Sequence, residues 1–192
     1  RRVVITGMGI ISPVGNTISD AWENILNGKS GITQITRFDA SALTSQIAGE
    51  IKNFDVTQYM SKKEARRMDI FIHYGMAAAI QAIQDADIEN AADSGIDTNR
   101  IGINIGSGIG GLPMIEKTDN LYLKDGQKKI SPFFIPSTII NMISGNLSIK
   151  YNFKGPNLAI VTACTTATHC LGSSARMIEY GDVDLMVAGG SE

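Results

Sequence analysis

A cysteine at the junction of two predicted elements has the clearest potential for chemistry in this chain. Cys164 follows an apolar run, 158–161, that is typical of a β-strand, and it precedes a stretch of small residues, 165–179, that is typical of a helix. The first N–H groups of a helix are unpaired and its dipole is positive there, so we expect them to stabilise a thiolate at this point. The resulting thiolate is a nucleophile, and the same N–H groups can bind an oxyanion.

The other cysteine and the two histidines are predicted to be structural. A buried structural role is the alternative for either cysteine, because free cysteine is among the most buried residue types. Cys170 lies about 9 Å from Cys164 along a helix, too far for a disulfide. His169 diverges from Cys164 by about 140° around that helix, and His73 lies between apolar neighbours. Two unpaired thiols favour a reducing compartment, so we expect a cytoplasmic protein.

The elements that must position Cys164 alternate between strand and helix patterns. Such alternation predicts a layered α/β domain with a largely parallel sheet. Capping-box patterns at Thr17 and Ser61 each predict the start of a helix. The predicted strands are 2–11, 100–105, 158–161 and 184–187; the predicted helices are 17–27, 61–85, 137–149 and 165–179; and 30–59 and 112–136 are predicted to be mostly loop.

Bulk composition excludes several classes of protein. The 192 residues are 43% hydrophobic and 19% charged, which is typical of a globular protein and not of a disordered one. A formal net charge of −2 gives no general attraction to nucleic acid. No apolar stretch reaches membrane-spanning length, no signal peptide opens the sequence, and the two histidines offer no metal-ligand spacing. A cleaved transit segment remains compatible with the sequence.

The glycine-rich run 106–111 formally matches the dinucleotide-binding pattern G-x-G-x-x-G after a predicted strand. That fingerprint also needs a second strand that ends in an acidic residue about 20 positions later. The corresponding region near Asp125 is polar and turn-like, so we favour a tight turn over a nucleotide site.

Five segments together resemble the β-ketoacyl-[acyl-carrier-protein] synthases. The nucleophile region 154–166 carries Lys-Gly-Pro-Asn-Leu-Ala-Ile-Val-Thr-Ala-Cys-Thr-Thr, and the runs 2–15 and 180–192 are similar to that family's opening strand and to the end of its first half. The runs 106–111 and 130–139 resemble the type II, elongating branch. The resemblance implies a thiolase-like layered αβαβα architecture made of two similar halves. Residues 1–192 match the N-terminal half of that duplicated fold, and the C-terminal half has no counterpart in them.

The resemblance also implies a mechanism and a set of site residues. Cys164 would take a fatty acyl group from its carrier thioester, and malonyl carrier protein would then decarboxylate and attack the acyl-cysteine. Ile109 would line the acyl pocket, and Phe133 would reach that pocket across a homodimer interface. No cofactor is implied. A second oxyanion donor, two histidines and a lysine belong to the family's C-terminal half, so we expect these residues alone to be inactive.

A basic cluster predicts a partner. Lys63, Arg66 and Arg67 are spaced to share one face of the predicted helix 61–85, near its start, where the helix dipole disfavours cations. A solvated face is the simple alternative. The resemblance implies instead that this helix start docks the acidic acyl carrier protein.

Three other functions share the Cys164 pattern or the fold. A ketosynthase of a polyketide pathway would embed the motif in a much longer chain. A thiolase or another relative of this fold would use coenzyme A thioesters, and competition between pantetheine and carrier substrates would distinguish it. A non-catalytic partner subunit of a synthase dimer is disfavoured, because such partners lack the nucleophile.

Overall fold

The computed structural model describes residues 1–192 and contains seven α-helices and five β-strands. None of the helices is both long enough and apolar enough to span a bilayer. In chain order the elements are α1 (Ile18–Leu26), β1 (Ile32–Gln34), β2 (Ile47–Gly49), α2 (Lys62–Ala65), α3 (Ile70–Asp85), β3 (Ile101–Gly106), α4 (Leu112–Asp125), α5 (Phe134–Thr138), α6 (Met142–Tyr151), β4 (Asn157–Leu158), α7 (Thr166–Tyr180) and β5 (Leu185–Gly190).

β3 is the central strand of a parallel sheet with the order β4–β3–β5, and all six of its residues are buried. Its three isoleucines join residues of α3 and α6 in one apolar core. On the other face, the side-chain amide of Asn104 donates hydrogen bonds to the Cys170 carbonyl and to two serine hydroxyls of α7. Successive side chains of a strand point to opposite faces, so helices cover both faces of this sheet. The predicted α/β layering and the parallel sheet are confirmed.

A serine side chain separates β4 from β3 beyond their short pairing. Ser144 of α6 is fully buried, and its hydroxyl accepts a hydrogen bond from the Ile105 N–H at 3.1 Å and donates to the Leu158 carbonyl at 2.8 Å. The hydroxyl therefore takes the place of direct strand-to-strand bonds. For this reason the strand predicted over 158–161 ends at Leu158, and the next residues leave the sheet towards Cys164.

An ion pair fixes where β3 and β5 begin. The Arg100 guanidinium lies 2.5 and 2.9 Å from the two carboxylate oxygens of Asp184, whose backbone N–H donates to the Arg100 carbonyl. Hydrogen bonds from Arg100 and then Arg1 hold the pKa of the Asp184 carboxyl well below its usual value. Because the pKa is depressed in the folded state, the stabilisation is present above the unfolded-state pKa and is lost as the pH falls towards the folded value.

The predicted strand over 2–11 is wrong. These residues make no backbone–backbone hydrogen bond, although the Met8 and Ile10 N–H groups donate to the side chains of Asp85 and Gln81 on α3. Val4 and Ile5 remain 61% and 79% exposed. The apolar pattern is that of a strand, but a strand also needs a neighbour, and none of the five strands lies beside it. The outer edge of β5 is likewise unpaired.

Three further predictions also need correction. The predicted helix 61–85 is two helices, because the chain becomes extended at Asp69, where α3 starts. The region 112–136, predicted to be mostly loop, contains α4, which begins with Pro113 in its first turn and ends before Gly126 at a φ of 77°. Pro113 and Gly126 are residue types that commonly mark the start and the end of a helix. Thr118, however, is the only buried residue of α4, so the sequence has no strong apolar periodicity from which this helix could be predicted. The helix predicted over 137–149 starts later than expected, because Ser137 lies in the last turn of α5 and the next helix, α6, begins at Met142 with Asn141 as its N-cap.

The start of α1 follows its prediction. Thr17 is the N-cap, and its side chain accepts a hydrogen bond from the Asp20 N–H at 3.1 Å. At Ser61 both hydrogen bonds of the capping box are present, although the helix they start is only four residues long. Capping is local in sequence, which explains why both starts were predictable.

Replacing Ser144 by Ala should lower the free energy of unfolding by about 1–3 kcal/mol, because the buried Ile105 N–H loses its acceptor. Chemical denaturation of the intact protein measures this change. Ser148→Ala is the matched control on the same helix, since the Ser148 hydroxyl donates only to the Phe153 carbonyl, which keeps a second lone pair. A loss no greater than that of the control would contradict the role given to Ser144.

Candidate active site

Cys164 lies in a tight turn between the sheet and α7. The residues Ala163–Thr165 form a single 3-10 turn, and α7 begins two residues after the cysteine. Ala163 has a φ of 52°, a left-handed conformation that costs a residue with a Cβ about 1–2 kcal/mol. The side chain of Cys164 is exposed. The predicted corner before the helix is therefore present, with the cysteine in the turn that enters the helix.

Backbone packing holds this turn against the end of β3. A Cβ added to Gly106 would overlap the Ile160 carbonyl oxygen and would lie 2.6 Å from a methyl carbon of Thr166, so only glycine fits there. The Thr166 hydroxyl accepts a hydrogen bond from the Thr162 N–H at 3.0 Å, across the turn. These contacts fix the backbone on both sides of Cys164.

The Cys164 backbone N–H donates to no acceptor within the protein. It lies two residues before α7, a helix of 15 residues whose N-terminal end carries a partial positive charge. The thiol and an unpaired donor thus belong to the same residue. This is the arrangement in which a thiolate attacks a carbonyl and the resulting oxyanion accepts a hydrogen bond from the N–H.

The remaining thiol and the histidines lie outside this arrangement. Cys170 is fully buried one and a half turns into the helix, below the Asn104 amide. The His73 ring nitrogen bonds the Ala65 carbonyl at 2.9 Å, which ties α3 to the end of α2. The His169 side chain is exposed and makes no hydrogen bond with Cys164. A general base for this thiol is therefore not supplied by either histidine.

The glycine-rich run 106–111 connects β3 to α4, so it does form a strand–loop–helix unit. Two features separate it from a dinucleotide site. Protein atoms fill the space beside its glycines, because a Cβ on Gly110 or Gly111 would lie 2.7 Å from backbone atoms of Thr138. No strand follows α4 before β4, so the acidic strand end that binds the ribose is missing.

The two predicted pocket residues flank α4. Ile109 is in the turn before α4 and is 66% exposed, while Phe133 precedes α5 and is 39% exposed. Leu112, Ile115 and Ile135 nearby in the sequence are also exposed. The Thr138 carbonyl accepts a hydrogen bond from the Gly111 N–H at 3.0 Å, which joins the two segments.

The three predicted docking residues are exposed and make no ion pair. They do not share one continuous helix: Lys63 is in α2, Arg66 is its C-cap, and Arg67 lies in the turn before α3. The Arg67 guanidinium lies 4.2 Å from the centre of the Phe133 ring, a cation–π contact that links this cluster to the other predicted site. Hydrogen bonds from the Ser61 side chain and backbone keep the pKa of Glu64 below its usual value, so Glu64 remains an anion within the cluster.

Three polar residues that position these segments were not predicted. Asp69 and Ser144 are buried, and Glu192 accepts a hydrogen bond from the Gly108 N–H beside the Cys164 turn. For Asp69 and Ser144, the only signal in the sequence is that each is a short polar residue next to bulky apolar residues. Such a residue is common at exposed positions and helix starts, so its type alone does not reveal its contacts.

A sequence profile of the beta-ketoacyl synthase N-terminal domain matches residues 1–192. The chain belongs to this family. The chain is 54% identical over 192 residues to 3-oxoacyl-[acyl-carrier-protein] synthase 2 of Vibrio harveyi, and 53% identical over 194 residues to the protein of the same name from Coxiella burnetii. Both alignments cover 100% of this chain and 46% of the relative. The chain therefore spans about half the length of these curated relatives.

A solved structure of the same architecture is a type II PKS acyl-carrier protein in complex with its ketosynthase bound to the hexaketide. It aligns with a TM-score of 0.80 at 24% identity and covers 100% of this chain and 50% of that chain. At this identity the likeness concerns the fold alone. The thiolase-like α/β fold implied by the sequence is confirmed.

Limited alkylation of the full-length protein with iodoacetamide at neutral pH should label Cys164 before Cys170, because Cys164 is exposed near a helix N-terminus and Cys170 is fully buried. Peptide mapping by mass spectrometry at increasing times measures the order. Labelling of Cys170 first, or of both at equal rates, would contradict the assignment of the nucleophile.

Proposed function

We propose that these 192 residues are the N-terminal half of a 3-oxoacyl-[acyl-carrier-protein] synthase 2 that elongates fatty acyl chains by decarboxylative condensation. The observation that carries the proposal is the 54% identity to a protein of that name over the whole chain. A polyketide ketosynthase is less favoured, because the polyketide structure above is only 24% identical. A non-catalytic partner remains disfavoured by the exposed Cys164.

The residues of this chain have defined parts in the first half-reaction. The Cys164 thiolate attacks the thioester carbonyl, the new sulfur–carbon bond forms, and the carrier thiolate leaves. The Cys164 N–H, which has no acceptor within the protein, stabilises the oxyanion of the intermediate. In the second half-reaction malonyl carrier protein loses carbon dioxide, and the carbanion that results attacks the acyl-cysteine carbonyl. The Cys164 thiolate is then released.

The acyl chain is proposed to lie beside Ile109, with Phe133 reaching the pocket of a partner copy in a homodimer. Exposed apolar side chains support an interface here, since monomeric proteins rarely leave large apolar patches in water. They lie in and around α4 and α5: Ile109, Leu112, Ile115, Phe133, Ile135 and Ile139.

The partner proposed for the basic segment is the acyl carrier protein, which is acidic. The docking segment, residues 62–67, exposes cations that no carboxylate of the chain pairs with. One ketosynthase structure of this fold is described in complex with its acyl-carrier protein. A cytoplasmic location is proposed with it, on the ground of two cysteines that form no disulfide.

Full-length enzyme incubated with an acyl carrier thioester should gain one acyl group on the peptide that contains Cys164. Mass spectrometry measures the modified peptide, and malonyl carrier protein should then discharge it as a 3-oxoacyl product. Cys164→Ala should abolish acylation, while Cys170→Ala, a control at the buried thiol, should retain it. Equal use of coenzyme A and carrier thioesters would instead favour the thiolase alternative.

Reversing two charges of the docking segment, Lys63→Glu with Arg66→Glu, should lower kcat/KM for carrier substrates about tenfold or more at low salt, with less effect at high salt. Acyl-pantetheine substrates should be nearly unaffected, because they make no contact with that surface. Lys29→Glu with Lys52→Glu is a control of equal charge change at two exposed lysines elsewhere. Equal losses on both substrate types would reject the docking role.

A further inference from the structure

Asp69 is a buried carboxylate at the point where the docking segment ends. The residue is 3% exposed, and no lysine, arginine or histidine forms an ion pair with it. One carboxylate oxygen accepts a hydrogen bond from the Met114 N–H at 2.7 Å. The other oxygen is buried without a donor from the protein.

The hydrogen bond of Asp69 is unusual for its place in the chain. Asp69 is the N-cap of α3, but its side chain makes no capping bond to that helix. It binds the third residue of α4 instead, 45 positions away. An N-cap side chain ordinarily accepts from its own helix, so this one serves a different helix. Two helices of 16 and 14 residues therefore begin beside one carboxyl group.

The surroundings of Asp69 join the proposed pocket to the proposed docking surface. The Asp69 N–H donates to the Ser137 carbonyl in α5 at 3.1 Å. A Cβ added to Gly111 would lie 3.2 Å from the Asp69 Cβ, so the acyl-pocket turn, residues 109–111, packs directly on this residue. On the chain before it, Arg67 stacks on Phe133. Asp69 thus contacts the turn that carries Ile109 and the helix that follows Phe133.

We infer that Asp69 is a positioning residue for acyl-chain selection, because its carboxylate fixes the acyl-pocket turn against the docking segment. This inference rests on the proposed function and adds a determinant of chain length to it. The proposed pocket implies that a long acyl chain reaches Ile109 and a short one ends before it, so only the long chain depends on the place of this turn. Loss of the Asp69 acceptor would leave the partly buried Met114 N–H unpaired, so the start of α4 and the turn before it would shift.

The test compares a long and a short acyl carrier substrate with the full-length enzyme. Asp69→Ala should lower the ratio of kcat/KM for the long substrate to that for the short one about tenfold, the effect of one hydrogen bond. Asp69→Asn should restore that ratio to within about threefold, because its side-chain oxygen can still accept from the Met114 N–H.

Ile72→Val controls for lost stability, because Ile72 is fully buried on the first turn of α3 and lies outside the pocket and docking residues. It should lower the melting temperature and leave the length ratio unchanged. Gly111→Ala displaces the same turn, because its methyl group would press on Thr138 and on the Asp69 Cβ, but it keeps the Asp69 carboxylate; it should lower the ratio. If Asp69→Ala does not fold, Gly111→Ala decides the test. An unchanged ratio of kcat/KM between the long and the short substrate in Gly111→Ala then overturns the inference.

Failure of the inference and failure of the proposed function give different results. In one outcome, Asp69→Ala lowers kcat/KM equally for the long and the short substrate, while Ile109→Phe impairs only the long one. Asp69 would then be merely structural, and the proposed function would stand. No length dependence in Ile109→Phe would remove the pocket and the inference with it. No acylation of Cys164 in the unaltered enzyme would refute the proposed function itself.

Discussion

The close approach of two backbones at the carboxyl end of β3 is the constraint on which the candidate site depends. Gly106 lets the chain after β4 pass against the strand, and Ser144 directs that chain away from the sheet by taking over its hydrogen bonds. The segment then has only a few residues in which to enter α7. Ala163 accepts a left-handed conformation as a result, and Cys164 is left with an exposed thiol and an unpaired N–H.

Features encoded within a few residues could be predicted from the sequence. The corner at Cys164, the N-cap of α1 and the capping box at Ser61 each depend on neighbours along the chain, and each is present. The extended run 2–11 could not be assigned correctly, because its apolar pattern is local but its hydrogen bonds depend on a second strand. The length of β4 was missed for a related reason, since Ser144 reaches it from another element.

The break between α2 and α3 shows why periodicity alone is insufficient. The apolar spacing through 61–85 is continuous enough to describe one helix, yet Asp69 is extended because it satisfies donors and acceptors on α4 and α5. Its partners, Met114 and Ser137, follow Asp69 by 45 and 68 positions in the chain. The basic cluster was correctly expected to be exposed, but its residues are distributed over a helix, its cap and a turn.

The attachment of residues 1–11 has a consequence for the order of folding. Arg1 is bound to Asp184 across a separation of 183 residues, and Met8 is bound to α3 across 77. During synthesis this segment leaves the ribosome before either partner, and Asp184 emerges 183 residues after Arg1. Contacts of such long range form slowly, because a large loop must close before they contribute. An exposed apolar segment that waits for its partners is the part of this protein that a chaperone would have most reason to bind.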